Sequence, residues 1–126
     1  MIYTSYFGKY KGTEGVSIAQ GARWYKGERA TELAPSPELL NWYKLTMLNL
    51  NIHTDKEYVR FETKNIQRKY EEKYLQQLNK LNPAEIYNKY DGKVLLCFEK
   101  SSEFCHRHIL AKWLRDAGFD CQEIIY

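Results

Sequence analysis

Between residues 97 and 107 the chain gathers side chains able to do chemistry: Cys97, Glu99, Cys105, His106 and Arg107, within the stretch LLCFEKSSEFCHRHILAKWL. A carboxylate and an imidazole can act as an acid/base pair. A thiol at the start of a helix has its thiolate favoured by the helix N-terminus and by any protonated histidine nearby. A guanidinium beside free helix N–H groups can hold an anion. The set C-x-E-x5-C-H also contains metal-ligand types, but its spacing departs from the usual zinc patterns and no second CxxC occurs, so no metal centre is assigned. Cysteine also fills cores as a small apolar residue, and that reading stays open for Cys97 and Cys105. The candidate catalytic groups are therefore Glu99, Cys105 and His106, with Arg107 as the candidate anion holder.

A second group of candidates lies near the amino terminus. Lys9, Tyr10 and Lys11 fall in one glycine-containing stretch, and Arg23, Trp24, Tyr25, Lys26 and Arg29 in the next. Positive charge interleaved with aromatic rings suits phosphates and stacked bases. Tyrosine is abundant, at 11 residues, so Trp24 and Tyr25 could equally anchor a connection to the core. Lys9, Lys11, Arg23, Trp24 and Tyr25 are retained with Arg107 as candidate ligand-binding residues.

These groups need elements to position them. IYTSYF and VSIA read as short strands, and QGARWYKGERATELAP as a long irregular connection. Three helices follow. Ser36 before Pro37 caps the first, Thr54 with Glu57 suggests a capping box for the second, and Asn82 before Pro83 opens a short third that Asp91 and Gly92 end. The second helix carries the stripe Tyr58, Phe61, Ile66, Tyr70, Tyr74, Leu78 and Leu81. KVLLCF is apolar on both faces, as a covered central strand should be. A helix and the strand CQEII complete the order of a single α/β domain over 1–126, three-layered and Rossmann-like, with a mostly parallel sheet and helices on both faces.

Alternation along KVLLCF puts Leu95, Cys97 and Glu99 on one face, with Glu99 at the carboxyl end, where open α/β sheets bind ligands. On the following helix, a 100° step turns His106 inward with Ile109, Leu110, Trp113 and Leu114, while His108 falls outside as solvated surface. An inward His106 needs a hydrogen-bond partner, and Glu99 is the candidate.

Composition bounds the rest. A 44% hydrophobic and 28% charged chain of 126 residues is an ordinary globular sequence. No stretch matches a membrane span or a signal peptide, so the cytoplasm is the expected address. Three cysteines without an export signal are expected as free thiols. A net charge of +3 is too small to establish a nucleic-acid partner and leaves anionic ligands open. The sequence leaves any cofactor unknown.

The stretch carrying Cys97, Glu99, Lys100, Cys105, His106, Arg107, Leu110 and Trp113 resembles the signature of the domain-of-unknown-function 488 family. In that family an apolar strand ends in Cys-x-Glu-Lys, and Cys-His-Arg opens the next helix. GVSIAQGARWYKG and YTSYF are similar to the family's early strands and glycine-containing loop. The resemblance implies a compact α/β fold and strengthens the Cys-His-Arg cluster as a site, without assigning an activity. The expectation is a phosphate-bearing ligand, nucleotide or nucleic acid, bound at the carboxyl edge of the sheet. The alternatives are an interaction module with structural cysteines, and a thiol or metal site.

Overall fold

The computed structural model describes residues 1–126. Five strands run in chain order: β1 Ile2–Tyr6, β2 Gly15–Ser17, β3 Glu28–Arg29, β4 Val94–Cys97 and β5 Cys121–Glu123. All pairings are parallel, and the order across the sheet is β3-β2-β4-β1-β5. Four helices accompany them: α1 Pro37–Leu50, α2 Lys56–Leu78, α3 Pro83–Tyr90 and α4 His106–Asp116. This is the three-layer parallel α/β class expected from the sequence. No helix is long and apolar enough to cross a membrane.

β4 lies at the centre because its sequence can be buried on both sides: Val94, Leu95, Leu96 and Cys97 are all buried. β1 and β2 flank it, with Tyr6 paired to Cys97 and Ser17 to Leu96. Leu95 and Cys97 join the main core with Ile2, Val16 and Ile18 of the sheet region and with Tyr74, Leu78, Ile109, Leu110 and Leu114 of the helices. Each large apolar side chain fully removed from water contributes about 1.5–3 kcal/mol. At Leu96 the covering layer includes the connection after β2. A Cβ on Gly15 would come within 2.7 Å of both Leu96 Cδ1 and Tyr25 Oη, so a larger residue there would have to displace the tips of both side chains.

Local signals place most helix starts. Ser36 accepts from Leu39 N with Pro37 in the first turn, and Asn82 accepts from Ala84 N and Glu85 N ahead of Pro83. Gly92, at φ +82°, follows the end of α3. For α2 the structure corrects the expected cap: Asp55, not Thr54, accepts from the N–H groups of Glu57 and Tyr58. Aspartate is as good a cap as threonine and wins by one residue. The α2 stripe is buried at Ile66, Tyr70, Tyr74 and Leu78, while Tyr58 and Phe61 are exposed. The long connection after β2 holds two elements the sequence does not announce, β3 and a 3-10 turn at Thr31–Leu33.

Tyr74 ties α2 to that turn. It is fully buried, and its hydroxyl donates to the Leu33 carbonyl at 2.6 Å. Tyr74→Phe should cost about 1–2 kcal/mol in urea unfolding, because it strands a buried acceptor while leaving the ring in place. A change below about 0.3 kcal/mol would show that water replaces the hydroxyl there.

Candidate functional site

Three segments converge at the carboxyl end of β4: the end of β4 itself, the loop 98–104, and the start of α4. Cys105 is the N-cap of α4, with extended backbone at φ −153°, ψ 144°. That geometry turns its side chain toward the strand end, where it is buried against Cys97 and His106. The Cys97 and Cys105 sulfurs are in bonding contact, with Cα atoms 7.8 Å apart. Of the three thiols expected to be free, only Cys121 is so. It is buried, and burial pushes its thiol up to about 11, which makes it a poor nucleophile at neutral pH.

His106 is buried, as the helix periodicity predicts, but its partner is not Glu99. Its Nε2 lies 2.7 Å from the carbonyl oxygen of Ile18, just past β2. A carbonyl only accepts, so Nε2 carries the proton and Nδ1 presents its lone pair. Nδ1 is 3.7 Å from Cys105 Sγ. The Tyr74 ring stands perpendicular to the imidazole at 5.5 Å and fixes its plane. Burial lowers the imidazole to about 4, with the hydrogen bond to Ile18 opposing and the Arg107 charge reinforcing the shift. His106 is therefore neutral at pH 7. It is too weak a base to take a proton from a thiol of pKa about 8.5, a transfer uphill by about 6 kcal/mol. The acid/base pairing of Glu99 with His106 is thus replaced by a neutral imidazole facing two sulfurs.

Arg107 corrects a second expectation. It is not an exposed anion holder but fully buried. Its Nε donates to Glu123 Oε1 at 3.0 Å and its Nη2 to Glu123 Oε2 at 2.7 Å, a bidentate pair between α4 and β5. Its Nη1 donates to Cys97 Sγ at 2.8 Å and to the Glu99 carbonyl at 2.7 Å. The guanidinium is spent on the protein: it clamps the strand end and places positive charge against the Cys97 sulfur. Glu123 is held by Thr4 and Ser101 as well, each at 2.6 Å. Burial raises its carboxyl, but hydrogen bonds from Arg107, Ser101 and Thr4 outweigh this and bring it down to about 2. Sequence reading misses Glu123, Thr4 and Ser101 as parts of this centre. The acceptor-bearing Glu123 in CQEII was the available signal for a buried arginine.

His108 is not solvated surface either. It is half-buried, its Nε2 is buried without a partner, and burial lowers its imidazole. It does not line the cavity.

A cavity of about 170 Å³ opens onto the centre, lined by Cys97, Cys105, His106 and Glu99. Tyr43, Tyr70, Phe98 and Phe104 supply aromatic walls, Ala19, Gln20 and Gly21 come from the connection that follows β2, and Lys44 of α1 is the lone cation on the lining. Tyr70 stays protonated, since burial first, then the charge of Glu99 and the neighbouring Tyr43, raise its phenol. It remains a hydrogen-bond donor. The structure thus brings Glu99, Cys105 and His106 to one cavity and puts Arg107 behind it.

The amino-terminal candidates surround the same edge from the other side. Lys9, Lys11, Arg23 and Trp24 are exposed and Tyr25 is half-buried. Phe7 packs edge-on against Trp24 at 4.9 Å and Phe98 at 5.4 Å, and tilted against Tyr25 at 5.3 Å. Phe98 belongs to both this cluster and the cavity wall, so the two candidate surfaces meet at one side chain. Arg29, by contrast, is tied to the carbonyl oxygens of Ala22 and Tyr25 and braces the loop.

No curated protein and no solved structure matches the chain. A family model does, described as the active DUF488-N3 subclade, over residues 2–118. That span includes β1, β2, β4, α4 and every cavity-lining residue. With nearly its whole length matched and the Cys-x-Glu-Lys and Cys-His-Arg elements converging at one cavity, the chain belongs to the DUF488-N3a family.

Proposed function

We propose that this protein binds a small ligand combining a flat ring with a phosphate, a mononucleotide being the type, in the cavity at the carboxyl end of β4. The ring lies among Tyr43, Tyr70, Phe98 and Phe104, the phosphate is met by Lys44 at the mouth, and Cys105 and His106 form the floor. The observation that carries this reading is the lining itself: four aromatic rings, a single cation, and the two cysteine sulfurs beside the His106 imidazole around one cavity. Its position outside the strand ends is where α/β sheets present ligands. Arg107 plays no direct part, since its donors are committed within the protein.

Lys9, Lys11 and Arg23 extend the positive rim beside Trp24. Trp24 is 59% exposed, large for a tryptophan that only anchors a loop, and it favours a second reading in which a single strand lies across this cluster. Binding of purine and pyrimidine mononucleotides, a single-stranded oligonucleotide and a duplex, measured by calorimetry at two salt concentrations, separates the two. The cavity reading expects mononucleotide binding that weakens about tenfold in Lys44→Ala, the ~1.4 kcal/mol of a charge-assisted contact, and is unaffected by Lys9→Ala/Lys11→Ala. Affinity for the polymer alone, lost in the loop variant and falling steeply with salt, would replace it with the second reading. Absence of binding to any of these anions would overturn both.

A further inference from the structure

We propose that in the reduced protein Cys97 Sγ, Cys105 Sγ and His106 Nδ1 bind one thiophilic divalent cation of the zinc type, leaving a fourth position open toward the aromatic cavity. The three ligand atoms lie within 4.8 Å of one another, and all three residues are buried. The motif is invisible along the chain because C-x7-C-H is not a zinc spacing; the fold assembles it from the end of β4 and the cap of α4.

The imidazole is already arranged as a ligand. Metal-bound histidines almost always commit their other ring nitrogen to a carbonyl, carboxylate or water, which fixes tautomer and plane. Here the Ile18 carbonyl takes the Nε2 proton at 2.7 Å and leaves Nδ1 aimed at the sulfurs. Tetrahedral zinc, with bonds of about 2.3 Å to sulfur and about 2.0 Å to nitrogen, sets sulfur and nitrogen roughly 3.6 Å apart. Cys105 Sγ and His106 Nδ1 are 3.7 Å apart.

The backbone frame fits two thiolates around an ion. Cα atoms joined by disulfides usually lie about 4.4–6.8 Å apart, whereas those of Cys97 and Cys105 are 7.8 Å apart. Side-chain rotation within that frame lets the sulfurs open to the roughly 3.8 Å of two ligands on one zinc. Charge agrees. Two thiolates and a neutral imidazole balance a dication, while Arg107, neutralised by Glu123, donates to Cys97 Sγ as an outer-shell partner. Three protein ligands beside an open cavity is the catalytic rather than the structural arrangement of zinc. Where the ring-and-phosphate reading of the cavity holds, a water on the ion would face that ring, with Glu99 on the same wall.

The test uses the full chain, reduced and kept anaerobic. Zinc titration should saturate at one equivalent, and cobalt in its place should show thiolate charge-transfer absorption and the visible bands of a tetrahedral ion. X-ray absorption on the zinc form should report two sulfur and one nitrogen protein ligands. Cys97→Ser, Cys105→Ser and His106→Gln should each weaken zinc by about 100-fold or more, and Cys121→Ser should not. Because a variant that fails to fold would also lose metal, the absorption spectrum of the wild type decides. Reduced, folded wild type that takes up less than a tenth of an equivalent, or zinc bound without sulfur, overturns the proposal. Mononucleotide calorimetry on metal-free and zinc-loaded protein keeps the two readings apart. Binding by the metal-free protein without zinc uptake ends the metal proposal alone, and zinc uptake without nucleotide binding ends the ligand proposal alone.

Discussion

Glu123→Ala is expected to destabilise the protein by about 3 kcal/mol, near the low end of the cost of breaking a buried ion pair. The partner left behind, Arg107, is fully buried, and two of its donors lose their acceptors. Glu123 itself retains 22% side-chain exposure, which lets some water reach the vacated space and keeps the cost from the upper end. Urea unfolding measures the effect. The double variant Arg107→Met/Glu123→Leu should recover most of the loss, because removing both charges removes the unpaired guanidinium that makes the single variant costly. If the double variant is less stable than Glu123→Ala, the clamp on Cys97 and the Glu99 carbonyl matters more than the ion pair, and the charge account is wrong.

Acid should expose the same pair. Hydrogen bonds from Arg107, Ser101 and Thr4 bring Glu123 down to about 2 in the folded protein from an ordinary value of about 4.5, so the unfolded chain binds its proton first as pH falls. The contribution of Glu123 to stability is therefore complete above about pH 4.5 and is lost progressively between there and pH 2. Allowing for partial exposure, the loss is about 2 kcal/mol. The unfolding free energy of the wild type, followed from pH 5 to 2, should fall more steeply than that of Arg107→Met/Glu123→Leu. Parallel curves would mean that other carboxylates carry the acid response.

The sequence made the scaffold legible where local chemistry decides it. Ser36-Pro37 and Asn82-Pro83 are complete start signals within a few residues, and the doubly apolar run of β4 demands burial on both faces. The inward turn of His106 followed from helical periodicity alone. What periodicity cannot supply is the identity of a partner across the fold. His106 finds Ile18, 88 residues away, because β2 happens to sit beside β4, and no local pattern encodes that adjacency. Arg107 directly follows the inward His106, and one residue's rotation on a helix can separate solvent from core. Its burial was decided by Glu123 on β5, a strand of three residues with a weak pattern. β3 and the turn at Thr31–Leu33 were missed for a related reason: a two-residue strand has no periodicity to read.

The same logic explains the division of labour between the two cysteine positions. From sequence, Cys105 alone has an activating feature, the helix start. In the fold Cys97 gains the guanidinium, Cys105 gains the imidazole, and both reach the cavity. Access from the cavity and the guanidinium at Cys97, not proton transfer to the neutral imidazole, set the reactivity of the reduced pair, while Cys121, buried far along the chain in β5, serves as an internal reference.

The measurement that bears most directly on the cavity as the ligand site is alkylation of the reduced, metal-free protein, followed by mass spectrometry with and without a mononucleotide. Cys105 and Cys97 should label, Cys121 should not, and mononucleotide should slow labelling at the first two in proportion to its occupancy of the site. Labelling of Cys105 that proceeds at the same rate whether or not mononucleotide is bound would contradict the account, since a ligand lying over the thiol-imidazole floor must shield it.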